Sequence, residues 1–512
     1  MNNCHTRSEN LKFCLCIAGS PADRAGVGSV CAVGLLLAML VLFGGDACGA
    51  APDQTKKQEG GRRYAIVVNK TMPEDKAWMP VVEALKKKRS ADIFYWGKND
   101  DELRRNLAAY RPRYVCFVAR PEELDLTTTA TGNLQGGVTN DFPVCGAYYH
   151  AVGTLMRGLD DDPYDDAIWG ILTGATPEDA MRVVSAQPLV VHRGLSHVGG
   201  GWLDYLESGT SFSEGVKGDK WIKNPGKPPE KVKGPDDTTA QFAAELNTDN
   251  VDMVSTSGHA TEHDWEMGFS YKSGSIVPAA GHLLAVDSSN KAYQILTTNP
   301  KIYYSPGNCL IARTDGKDCL VLAWIHHGAM QFSGHVGFQS QSCYAWGIAE
   351  YFLSLQGRFS FAEAEWLNRQ ALRFEMSGGT IGDDKYMCCR DEQPCFDRQR
   401  MRFLHETTTF YGDPLWDARV KPTVPPLYDQ ELRTKILAGG KTELTFIVKM
   451  RVAAKPSRPA AFFLETRTPV QEEVTKGPKD MVITEGFALV PFWKADDPAP
   501  KVGDEYVAVV VL

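Results

Sequence analysis

Apolar and polar positions follow two different rhythms along this chain, and the rhythm changes near Pro422. Ahead of it, short apolar runs alternate with segments of helical period. YAIVVN (64–69), ADIFYWG (91–97) and RYVCFVAR (113–120) read as strands, while 75–89 and 100–110 read as helices. A helix is predicted from Ala147 to Leu159 and a strand at 167–172. TPEDAMRVVSA follows as a helix capped by Thr176, with Glu178 and Asp179 in its first turn. Further strands are predicted at 251–257, 301–306 and 319–325, and helices at about 341–355 and 361–373. Repeated strand–helix units predict an α/β domain whose parallel sheet is flanked by helices on both faces. The Lys-, Pro- and Gly-rich stretch 216–237 breaks the pattern and reads as an exposed loop open to nicking. Beyond Pro422 the pattern is strand and turn only, at 443–452, 460–467, 486–493 and 505–512, which fits a small C-terminal β-sandwich.

The first 50 residues read differently again. Arg7, Lys12 and Arg24 precede the apolar run Val30–Phe43, and small residues fill Gly44–Ala50. That order predicts a signal peptide over 1–50 followed by a polar linker over 51–62, because the run is shorter than the roughly 18 residues a membrane span needs. Export to the periplasm, cell surface or medium is expected, with a retained anchor as the alternative; Gly45 argues against lipid attachment at Cys48. No other run is comparable, so no stable membrane span is expected once the signal is removed. A length of 512 residues suits two or three domains, and a net charge of −8 argues against a nucleic-acid partner, which requires a concentrated basic face. Of 13 cysteines, Cys4, Cys14, Cys16, Cys31 and Cys48 fall in the leader, leaving 13 − 5 = 8, too few for a disulfide scaffold. Cys388, Cys389 and Cys395 suit a bridge or, less well, a zinc site.

The chemistry concentrates in VDMVSTSGHATEHDWEMG (251–268) and KIYYSPGNCLIA (301–312). In an open α/β sheet, reacting groups gather at the carboxyl ends of strands. His259 follows one strand and Cys309 the next, 309 − 259 = 50 residues later, which would set an imidazole beside a thiol. A rival reading makes His259 and His263 the ligands of an H-x-x-E-H zinc site with Glu262 between them and His326 or His327 as a third ligand. That motif belongs on a helix, and the Ser-Gly before His259 argues otherwise. The Asp-rich turn 160–166 admits Ca²⁺ at Asp161, Asp162 and Asp165, or a solvated turn of capping aspartates. His150, His192, His197 and His282 show no partner spacing and read as structural.

The order of Ser-Gly-His, Asn-Cys and DCLVLAWIHHGAMQFSG resembles the gingipain-type cysteine peptidases, relatives of the caspases; so do the Asp-rich stretch 160–184 and FYGDPLW at 410–416. The resemblance implies a caspase-like domain over 63–420, with an N-terminal subdomain at about 63–160 and a catalytic one at about 161–420, and an immunoglobulin-like sandwich over 421–512. By the same resemblance His259 is the general base or acid, Cys309 the nucleophile, and the amides of Gly258 and Cys309 the oxyanion hole. Asn308, His326, His327 and Gly328 are expected to line the substrate pocket. Protein or peptide is the expected substrate and no cofactor is required. Ala260 stands where the family often has Gly. A catalytically silent peptide- or glycan-binding relative is the alternative from a different class.

Overall fold

The computed structural model describes residues 63–97, 100–124, 147–248, 250–337, 346–378, 405–464, 473–494 and 496–512. The leader, the linker and the Cys388, Cys389, Cys395 trio lie outside these residues. Among the described residues no helix is long and apolar enough to cross a membrane.

A twelve-stranded sheet organises the larger part of the chain. It is built from two blocks of parallel strands. The first runs Asp92–Trp96, Tyr64–Asn69, Tyr114–Val118, Ile168–Leu172. The second runs Ala329–His335, Lys301–Asn308, Met253–Gly258, Arg193–His197, Ser208–Phe212. The first block thus includes Ile168–Leu172. Thr408–Gly412 joins the blocks, parallel to Ile168–Leu172 and antiparallel to Ala329–His335, so the two blocks point in opposite directions. Backbones crowd at this seam. A Cβ on Gly170 would lie 2.4 Å from the Gly412 carbonyl oxygen, so only glycine fits there.

Apart from the edge strand Asp92–Trp96, the strands of both blocks are buried along nearly their whole length, as expected when helices cover a parallel sheet. Helices form where the sequence supplies caps. Thr176 and Ser360 each close a capping box, with Asp179 and Glu363 reaching back to the cap amide.

Three segments depart from the sequence pattern. The run predicted as a strand at 319–325 is the helix Leu320–His326, buried from Leu320 to Ile325; an all-apolar run carries no period by which to choose. The expected loop at 216–237 holds the antiparallel edge strands Asp219–Lys223 and Glu230–Lys233, whose lysines are the charges that keep a sheet edge from pairing further. Between Met253–Gly258 and Lys301–Asn308 lies a separate antiparallel sheet, Trp265–Glu266, Ser275–Ala279, His282–Val286 and Ala292–Gln294.

From Tyr428 a four-stranded and a three-stranded antiparallel sheet form the β-sandwich. Phe446 and Phe462 meet edge-on at 5.0 Å between them. The sandwich is anchored to the α/β body by Tyr351, whose hydroxyl donates to the Pro459 carbonyl at 2.8 Å, and by buried Arg458, which donates to Asn368 at 3.0 Å.

Asp413, in the Gly-Asp-Pro stretch, ties distant elements together. Its fully buried carboxylate accepts from the Tyr64 hydroxyl at 2.7 Å and from Arg89 Nε and Nη2 at 2.8 and 2.6 Å. Removing one partner of a buried pair strands the other charge, so Asp413→Ala should lower the unfolding free energy by about 3–5 kcal/mol, as chemical denaturation would measure.

Candidate functional site

Met253–Gly258 and Lys301–Asn308 are adjacent and parallel, and the last register pair sets Gly258 opposite Asn308. His259 and Cys309 are the next residue of each strand. Neighbouring strands lie about 4.8 Å apart, so the chain leaves the sheet at His259 and at Cys309 from adjacent strand ends. His259 is exposed and Cys309 half-buried. Cys116, Cys309 and Cys319 are the described cysteines, all unbridged, and burial pushes the Cys116 and Cys319 thiols up, Cys319 to about 11. Of the three, Cys309 alone has access to solvent.

The two tips are fixed by side chains that the chain supplies next to them. The buried Asn308 carboxamide accepts from Thr256 at 2.6 Å and Ser305 at 2.7 Å, and donates to the Gly258 carbonyl at 3.0 Å. Because Thr256 spends its one hydroxyl hydrogen on Asn308, the Tyr303 hydroxyl, 2.6 Å away, must donate to Thr256. Asn308 is therefore a strand-to-strand clamp and not a pocket-lining group, because it is fully buried and its amide is consumed. Gly258 sits at φ +103°, a conformation open to glycine, and turns the chain out of the sheet just before His259. Leu310, after Cys309, holds a left-handed φ of +53°.

Residues 260–265 close a tight hairpin through the Ala260–Trp265 bridge, and Glu266 N–H donates to the His259 carbonyl at 2.9 Å. The Trp265 indole donates to the Ser257 carbonyl at 3.0 Å. Glu262 faces Arg313 at 3.5 Å, and His263 reaches the Asp318 carbonyl at 3.0 Å and the Asp315 carboxylate at 3.4 Å. These contacts strap the loop after His259 to the loop after Cys309. The H-x-x-E-H zinc reading fails on this geometry: the segment is a hairpin, Glu262 and His263 are loop braces, and the metal-capable groupings among the described residues do not include His259.

Other expectations are corrected by position. His326, His327 and Gly328 stand where the chain enters the strand Ala329–His335, beside Lys301, whose ammonium donates to the His327 carbonyl at 2.6 Å. Cys309 is at the far end of Lys301–Asn308, so the three do not line a pocket with the thiol; the strand predicted at 319–325 pointed them the wrong way. The calcium trio does not converge either. Asp165 is buried and paired with Arg369 at 3.1 Å, Asp161 is exposed, and Asp162 accepts from the Tyr164 amide at 2.8 Å in a self-capped turn.

Two groups that no spacing signalled join the site. Phe269 stacks on the His259 ring, centroids 4.8 Å apart and 28° from parallel. Glu214 follows the strand Ser208–Phe212, and its Oε2 is sealed from water with no hydrogen-bond partner, 3.9 Å from where a Cβ on Gly258 would be. Burial pushes the Glu214 carboxyl up to about 7, a hydrogen bond with Ser257 offsetting part of the rise. Both lie in stretches the sequence pattern left without elements.

His259 and Cys309 directly past adjacent strand ends, with the Glu214 carboxyl near Gly258, make up the candidate site. No family model matches the sequence, and no curated protein matches it. Among solved structures, the chain is similar to the Arg-specific cysteine proteinase gingipain R at a TM-score of 0.44 and 11% identity, over 88% of this chain and 98% of that one. It is similar also to the complex of Porphyromonas gingivalis RgpB pro- and mature domains, at 0.43 and 11%, over 87% and 99%. Likeness at this level says nothing about the site.

Glu214 leaves a thermodynamic signature. The folded protein keeps a proton on it that the unfolded chain releases above its ordinary value of 4.5, so stability should fall as pH rises from there to about 7. Glu214→Gln should remove that component of the slope, as urea denaturation across the window would show.

Proposed function

We propose that this chain is an exported cysteine endopeptidase of the gingipain type, with Cys309 as nucleophile and His259 as its proton acceptor. The register that sets Gly258 opposite Asn308 carries the reading, because His259 and Cys309 directly follow those two residues at the carboxyl ends of adjacent parallel strands, where reacting groups gather in open α/β sheets. The order of Ser-Gly-His, Asn-Cys and Gly-Asp-Pro along the chain supports it independently.

Each group has a role set by its position. His259 takes the thiol proton, and the thiolate attacks the scissile carbonyl. The amides of Gly258 and Cys309 face the oxyanion that develops; one such donor is typically worth about 2.7–4 kcal/mol of barrier. The imidazolium then gives its proton to the departing amine, leaving an acyl-thioester that water hydrolyses with His259 as base. Phe269 holds the ring against rotation, and the Asn308 clamp fixes the spacing of the tips. The sandwich, read as immunoglobulin-like, supports the body and takes no part in the chemistry.

Cys309→Ala should abolish hydrolysis of a mixed peptide library while leaving the far-UV circular dichroism unchanged. Iodoacetamide should inactivate the parent chain and a chelator should not. Cleavage retained in Cys309→Ala would sink the assignment.

A further inference from the structure

Three histidines that the catalytic reading does not use converge at the opposite end of the strand that leads to Cys309. His282 opens the strand His282–Val286, His326 ends the helix Leu320–His326, and His327 follows it. One ring nitrogen from each lies within 4.8 Å of the others. The rings meet steeply: His282 and His326 at 4.7 Å and 87°, His326 and His327 at 5.2 Å and 81°, His282 and His327 at 5.6 Å and 60°.

Hydrogen bonding fixes which nitrogens are available. His326 Nδ1 lies 2.9 Å from an Asp179 carboxylate oxygen, and His327 Nδ1 lies 3.1 Å from the Thr297 carbonyl oxygen. Both oxygens only accept, so each Nδ1 carries a hydrogen and each neutral ring keeps its lone pair on Nε2. His327 Nε2 is buried with no hydrogen-bond partner, which is unusual for a native polar atom. An imidazole held through its other nitrogen by a carboxylate or carbonyl is the arrangement that orients metal-binding histidines.

We propose that His282, His326 and His327 bind one divalent transition-metal ion of the zinc class, oriented by Asp179 and the Thr297 carbonyl. Three imidazoles suit zinc, cobalt, nickel or copper and not calcium or magnesium, which take oxygen ligands. Tetrahedral zinc with bonds of about 2.0–2.1 Å needs its nitrogens roughly 3.4 Å apart, and the exposed His282 ring can swing to close the remaining gap. The ion would staple the inserted antiparallel sheet to the helix Leu320–His326 and, through Asp179, to the helix Pro177–Ser185. The strand Lys301–Asn308 has 8 residues, which at about 3.3 Å each sets the ion roughly 25 Å from the thiol, so its effect is on stability and not on the chemical step.

The test uses the full chain carrying Cys309→Ala, so that thiolate–imidazole binding at the strand tips cannot contribute, stripped with a chelator and titrated with Co²⁺ and then Zn²⁺. One equivalent of Co²⁺ should give the visible absorption of a tetrahedral site, which Zn²⁺ displaces while raising the melting temperature. His282→Ala, at an exposed position, and His326→Gln should each weaken binding at least tenfold. His263→Ala should not, although Glu262, His263 and Asp315 also lie within 4.8 Å of one another. Absence of the cobalt band in folded protein, or wild-type affinity in His282→Ala, overturns the proposal.

Discussion

One buried carboxamide holds the two reactive strand tips together. Asn308 joins its own strand to the neighbouring one by donating to the Gly258 carbonyl, and its oxygen gathers the hydroxyls of Thr256 and Ser305. A buried polar group left unmatched costs about 1–3 kcal/mol, so this small network tolerates only one register. A one-residue slip would strand the amide and send His259 or Cys309 to the opposite face. The position of the candidate nucleophile is therefore a consequence of hydrogen-bond satisfaction one residue upstream.

Around that clamp the structure is braced at several levels. Trp265 holds the Ser257 carbonyl, and the Glu262–Arg313 and His263–Asp315 contacts tie the two following loops to each other. Farther out, Asp413 links the seam between the two parallel blocks to Tyr64 and Arg89 of the first block. Exposed ion pairs contribute little singly, but the Asp413 pair is removed from water and its loss leaves an uncompensated charge. Rigidity at the tips thus rests on polar groups with fixed partners, while the apolar core supplies bulk stability without choosing among registers.

The same architecture separates two chemistries. The carboxyl end of Lys301–Asn308 carries the thiol, and its amino end lies by the three histidines. His326 and His327 are contiguous in sequence, yet what gives them a third neighbour is His282, from a sheet inserted between Met253–Gly258 and Lys301–Asn308. Phe269, from that same insertion, stacks on the His259 ring, and Glu214, from the loop after Ser208–Phe212, approaches Gly258.

The sequence by itself determined the α/β body and the sandwich, and it set His259 and Cys309 each directly after a strand, because strand periodicity and Gly at the turn are local properties written residue by residue. It also marked the helix start at Thr176, with Glu178 and Asp179 in the first turn. Tertiary structure decided what local pattern leaves open. The apolar run at 319–325 became a helix because every side is buried, and that choice carried His326 and His327 to the far end of the sheet. Asp165 turned inward to Arg369, 204 residues away, and Asn308 turned from pocket to clamp, because partners distant in the chain settle where a polar side chain points.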